Sequence, residues 1–169
     1  KGMGNGYPIA AIIGKEKFMD AAQESFISST FWTERVGFAA AIATIKKMKR
    51  EHVQDHMVAC GKQVQEGWTN LAKKHDLDIH ISGIYPLSHI SFTAAPAELK
   101  TLFTQEMLRR GFIASDVYYA SYAHKEEHMK QYLEAVDDVF ALMAKAIKEG
   151  NYAQLLEGPV AHGGFARLA

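Results

Sequence analysis

The 169-residue sequence is 48% hydrophobic and 22% charged, a balance that builds a buried core and excludes a disordered chain. Its 19 Lys and Arg offset 19 Asp and Glu, so no net field draws in a phosphate backbone or an anionic bilayer, and nucleic acid and membrane are poor first partners. The apolar runs, residues 9–13 among them, are far short of the ~20 residues that span a bilayer, and a single cysteine, Cys60, allows no internal disulfide and points to a reducing, cytoplasmic setting.

The sequence starts on Lys-Gly without a methionine, and we expect it to begin inside a longer polypeptide. Residues 1–6 are glycine-rich, and the apolar run 9–13, ended by Gly14, reads as a short buried strand. Residues 16–24 have helical composition. Residues 26–35 are polar and aromatic, with Ser28, Ser29, Thr30 and Thr33 suited to a loop or helix cap. From 36 to about 75 the pattern is helical, with Gly37, Gly61 and Gly67 as weak points. That is too long for one globular helix, so we expect a break around 49–54, where charge accumulates, and a domain boundary at 48/49.

Beyond Asp76 the texture changes. Residues 78–82 and 88–93 alternate between apolar and polar, punctuated by Gly83 and Pro86, and read as paired strands. Residues 98–110 form an amphipathic helix stopped by Gly111, 112–122 read as a third strand, and 125–149 as a long helix ending at Gly150. Leu133, Val136, Phe140, Met143 and Ile147 recur at three and four and mark its buried stripe. The second half is thus a small α+β unit. By contrast, the lone strand of the first half leaves backbone groups unpaired, so its partners are expected upstream.

Three features bear on chemistry. Lys1-Gly-Met-Gly-Asn-Gly-Tyr-Pro8 sets a primary amine beside a turn able to approach a ligand closely; by itself that pattern also describes a solvated lysine. His52 with His56, and His124 with His128, are spaced by four, which on a helix puts two ligands on one face. Neither pair carries the His-Glu-x-x-His order of the zinc proteases or a specified third ligand, so they read as solvated helix residues and we expect no metal site. The Gly2, Gly4, Gly6 series precedes the predicted strand, whereas a dinucleotide fingerprint follows one, so that reading fails on order.

The Lys1–Pro8 segment resembles the cofactor-lysine segment of class III, fold-type-I, pyridoxal-phosphate-dependent aminotransferases, including the glutamate-1-semialdehyde aminomutases. Ser28-Ser-Thr-Phe-Trp-Thr-Glu-Arg-Val36 is similar to the stretch where that family carries a threonine, and Ser121-Tyr-Ala-His-Lys-Glu-Glu127 to its Ser-x-Ala-His-Thr-Glu-Glu stretch before the last long helix. The resemblance implies an α/β fold: the end of a large domain (1–48) followed by a small α+β C-terminal domain (49–169). It implies pyridoxal 5'-phosphate as cofactor, held by the side-chain amine of Lys1, the catalytic residue, with Ser29 and Thr30 binding the phosphate in the neighbouring subunit's site.

A homodimer with shared active sites follows from that implication, as does amino-group transfer between a small-molecule amino donor and a carbonyl acceptor, with a 2,1-aminomutase as the alternative. Trp32-Thr-Glu-Arg35 departs from the family's Ser-Gly-Asn/His-Pro run, which favours transfer between molecules and suggests that Trp32 and Glu34 shape the substrate pocket. Asp116 is the acid nearest to the aminomutases' gating position, and no arginine stands out as a carboxylate partner. From a different class, a self-sufficient fold of this length would suit a non-catalytic interaction module.

Overall fold

The computed structural model describes residues 1–28, 30, 32 and 34–164. They form two compact units, residues 1–53 and 54–169. In sequence the division falls beside the expected break between two long helices: α3 (Val36–Arg50) ends before Glu51 and His52, and α4 (Val53–His75) begins after them. His52 makes the break with a left-handed backbone, φ 50°, which a non-glycine residue adopts only under local constraint.

In the first unit the helix expected over 16–24 is two single turns, α1 (Glu16–Met19) and α2 (Ala21–Glu24), joined at Asp20. The strand expected over 9–13 does not form. An extended segment becomes a strand only when a neighbour takes up its amides and carbonyls, and none does so among the described residues; Ile12 and Ile13 are 82% and 90% exposed. The cap of α3 also differs from expectation. Ser29 and Thr33 lie outside the described residues, and the Glu34 carboxylate accepts the N–H groups of Val36 (2.6 Å) and Gly37 (3.1 Å). Those backbone bonds hold the Glu34 carboxyl below its ordinary range.

The second unit is a three-stranded antiparallel sheet, order β1-β2-β3, packed with α4, α5 and α6. Strand β1 (Ile79–Ile84) turns through Tyr85-Pro86 into β2 (Leu87–Phe92), registered so that Ile81 faces Ile90. The period of two decides which side is buried: Ser88, Ile90 and Phe92 point into the core while Ser91 points out. The third strand is shorter than expected, only β3 (Val117–Tyr119), because residues 112–116 run as irregular chain tied back by Phe112 N–H to Met107 O at 2.9 Å. Pro96 opens α5 (Pro96–Arg109) at its first turn, where its missing N–H costs nothing. Helix α6 (Glu126–Glu149) is stopped by Gly150 in the left-handed region, φ 67°.

Phe92 of β2, Phe103 of α5 and Phe140 of α6 meet at the core centre, with ring centroids 5.8 to 6.2 Å apart, spacings at which tilted and edge-on aromatic pairs attract. Leu99, Leu102, Met107, Val136, Val139 and Met143 close around them. Helix α4 contributes Cys60, Val64 and Trp68 and is tied across by Gln65 Nε2 donating to the buried Ser88 Oγ at 2.9 Å.

The glycines read from sequence as weak points in this helix are close-approach positions. A Cβ on Gly61 would meet Tyr85 O at 1.8 Å, and one on Gly67 would meet Leu133 Cδ2 at 2.5 Å. The first obstacle is backbone and cannot rotate away. Gly61→Ala is therefore expected to push α4 off the β1–β2 turn and destabilise the second unit by about 1–3 kcal/mol, read as a lower denaturation midpoint. Gly67→Ala should cost less, because a leucine rotamer can give way.

Candidate active site

Lys1 precedes a tight reversal of the chain. Asn5 and Gly6 both have positive φ, 46° and 110°, the pattern that favours Asn-Gly at the centre of a turn, and Tyr7 N–H returns to Gly4 O at 3.3 Å. Gly4 is obligatory here, since a Cβ would sit 2.1 Å from Tyr7 O. After the reversal, Pro8 and Ile9 lie on the start of α3: a Cβ on Gly37 would meet Pro8 O at 2.7 Å. The lysine thus stands just before a turn closed by the Tyr7-to-Gly4 hydrogen bond, and the chain beyond that turn lies on the helix. Its side chain is exposed and has no hydrogen-bond or ion-pair partner among the described residues.

Thr30 belongs to the same unit, exposed in a turn, and no hydrogen bond joins it to Lys1; Ser29 lies outside the described residues. Trp32 is largely exposed, and Glu34 is engaged in capping α3. Asp116 and a pair of arginines on and after α5 lie in the second unit. Asp116 pairs with Lys100 at 2.9 Å. Arg109 and Arg110 close on the buried Glu106, and Arg109 also reaches Glu157. Burial pushes the Glu106 carboxyl up, but hydrogen bonds from Arg110, Gln105 and Arg109 outweigh it and hold it below its ordinary value. Neither arginine is a free carboxylate receptor in this arrangement.

A cleft of about 420 Å³ opens in the second unit between residues 112–114, β3 and the first turns of α6, lined by Phe112, Tyr118, Tyr132, His124 and His128 among others. Sequence spacing misread these histidines. His52 sits in the break before α4 and His124 in the loop before α6, so neither pair shares a helix face.

His56 and His124 are half-buried and bonded: His56 Nε2 donates to His124 O (2.9 Å), Tyr118 Oη lies 2.9 Å from His124 Nδ1, and Ser121 N–H donates to that nitrogen at 3.3 Å. Only a search for partners in space could have found this, since His56 and His124 are 68 positions apart. Among the described residues no three His, Cys, Asp or Glu side chains converge as a metal set, and no helix is long and apolar enough to cross a membrane.

Comparison with known proteins places these elements in a family. The family model of the class-III aminotransferases matches residues 1–140. The 2'-deamino-2'-hydroxyneamine transaminase of Streptomyces kanamyceticus is 28% identical over 144 residues, which are 82% of this chain and 37% of that protein. The glutamate-1-semialdehyde 2,1-aminomutase of Clostridium beijerinckii is 26% identical over 161 residues, 83% of this chain and 37% of its own length. The solved structure of the PLP internal aldimine form of the FumI protein of a Sphingopyxis species superposes with a TM-score of 0.78 at 26% identity, over 86% of this chain and 36% of that one. The chain therefore spans little more than a third of the length of the relatives it matches. With residues 1–140 aligned to a single family model, the chain belongs to the class-III aminotransferases.

Proposed function

We propose that these residues are the C-terminal part of a pyridoxal-phosphate-dependent aminotransferase, which moves an amino group from a small-molecule donor to a carbonyl acceptor, with Lys1 as the residue that holds the cofactor. The observation that carries this reading is the match of residues 1–140 to the family model; Lys1 stands just before a turn whose geometry is specified by Gly4, Asn5 and Gly6. The donor set fits the group. Lys1 offers an exposed primary amine, Gly2 has open space where a side chain would stand, and Thr30 offers an exposed hydroxyl suited to a phosphate oxygen.

When bound, pyridoxal phosphate supplies an aldehyde carbon for a primary amine and a ring that accepts electrons. Lys1 Nζ would bind that carbon and, when released from it, take and return a proton, two roles that only a primary amine combines. Ser29 and Thr30 would bind the phosphate in the partner subunit's site, which makes the enzyme a homodimer with shared active sites. The exposed apolar side chains of the first unit, Ile12, Ile13, Phe26 and Phe38 among them, support burial against further protein. Residues 1–48 are read as the end of the large domain and 49–169 as the small one; the lone thiol of Cys60, free and buried, suits a cytoplasmic enzyme.

Transfer and intramolecular migration are separated by one measurement. Incubated with an amino donor and no acceptor, the complete enzyme is expected to release about one equivalent of carbonyl product per site and then stop, as covalent catalysis in two halves requires. Sustained isomerisation of one substrate with no free carbonyl product would instead establish a mutase. The Trp32–Arg35 departure from the aminomutase pattern favours the first outcome.

A further inference from the structure

The loop joining β3 to α6 is held by two imidazoles in different ways. His56, on α4, donates through Nε2 to the carbonyl of His124 at 2.9 Å, with Cys60 Sγ at 3.4 Å from the same nitrogen. A carbonyl can only accept, so Nε2 of His56 carries its hydrogen whether the ring is neutral or charged, and this bond survives protonation at Nδ1. His124 is the reverse case. Its Nδ1 accepts Ser121 N–H at 3.3 Å, and a backbone amide can only donate, so that nitrogen is unprotonated. Tyr118 Oη lies 2.9 Å away and supplies a second donor, its ring stacked on the imidazole with centroids 5.5 Å apart.

We propose that His124 is an acid-released latch: neutral, it pins Ser121 and Tyr118 and orders the loop of residues 120–125, and protonation at Nδ1 sets donor against donor and frees the Ser121 amide. Tyr118 can rotate its hydroxyl to accept, but the amide has no such alternative. The titratable groups around the ring are His56, with Cys60 behind it, on α4; Tyr118 on β3; and His128 on α6, whose first turn adds the charges of Lys125, Glu126 and Glu127. His124 also lines the open cleft, so protons reach it from solvent.

The electrostatics agree with the geometry. Burial, then His128 and His56, hold the His124 imidazole below its ordinary range. Burial and the neighbouring Cys60 push the Tyr118 phenol up to about 12, so it keeps the hydrogen it donates. Because the folded value is depressed, the latch is fully present above the free-imidazole range and is lost as pH falls through the folded one.

Amide exchange at Ser121, corrected for its intrinsic pH dependence and measured on the complete enzyme above and below the His124 titration as located by NMR, reads the latch directly. Protection is expected to fall about tenfold at the lower pH, the worth of one hydrogen bond. In His124→Asn the side-chain oxygen accepts the amide without titrating, so protection should stay level; equal loosening in the variant, or none in the wild type, overturns the proposal. If that variant misfolds, the wild type alone tests the latch: the midpoint of the Ser121 protection loss should coincide with the His124 ring titration followed by NMR, and a loss that does not track that titration would overturn the proposal.

Discussion

Replacing Lys1 by alanine in the complete enzyme is expected to abolish amino transfer, lowering kcat by at least about 10³-fold, because one side chain is asked both to hold the cofactor and to carry the proton. Folding should be spared: Lys1 is exposed, is bonded to nothing among the described residues, and precedes a turn closed by Gly4 and Tyr7. The attachment can be read separately from the rate. Borohydride reduction of the wild type should fix the cofactor's mass on the peptide containing Lys1, and the same treatment of Lys1→Ala should label no lysine. Label on Lys15 or Lys17, or an unchanged rate in the variant, would refute the assignment. Lys1→Arg retains the positive charge but offers no primary amine, so it should be as inactive as alanine; activity in arginine alone would mean the charge, and not the covalent chemistry, is what matters.

What could be read in advance divides along a physical line. Helix α6 was legible because its apolar stripe and its stop are both local: Val136, Phe140 and Met143 are buried, and Gly150 adopts the left-handed cap. Features decided by a distant partner were not. Gly61 and Gly67 look like defects when helix propensity alone is considered, and become necessary only when Tyr85 and Leu133 lie against them. The run 9–13 has the composition of a strand, but pairing is a property of two segments, and only one lies among the described residues.

The cap of α3 shows a competition between residue types. Hydroxyl and amide side chains are the usual choice, yet Glu34 reaches two free amides and takes the role. The site follows the same division. Spacing paired His52 with His56 and His124 with His128 and missed the bond between His56 and His124; local chemistry could not distinguish Lys1 from a solvated lysine, and its role is proposed on the resemblance of three ordered segments to the family.

The second large effect is expected at Trp68, which joins the core to the cleft. The indole is fully buried on α4, and its Nε1–H donates to Tyr132 Oη of α6 at 3.1 Å. Burial holds the Tyr132 phenol far above its ordinary range, so it remains a neutral acceptor for that bond at any physiological pH. Trp68→Ala removes the largest side chain of the core together with this bond and should cost about 3–5 kcal/mol of the second unit's stability. Trp68→Phe keeps much of the apolar volume and isolates the bond, at about 0.5–1.5 kcal/mol plus a smaller packing loss.

Tyr132 also contacts Phe112 edge-on at 5.9 Å and Tyr118 at 6.2 Å, both of which line the cleft. Loss of the indole should therefore be felt beyond the core. Aromatic proton shifts of Phe112 and Tyr118 are expected to move in Trp68→Phe even though the fold is retained. If urea midpoints of the two variants coincide, volume is not what Trp68 contributes, and the hydrogen bond to Tyr132 must account for most of the cost.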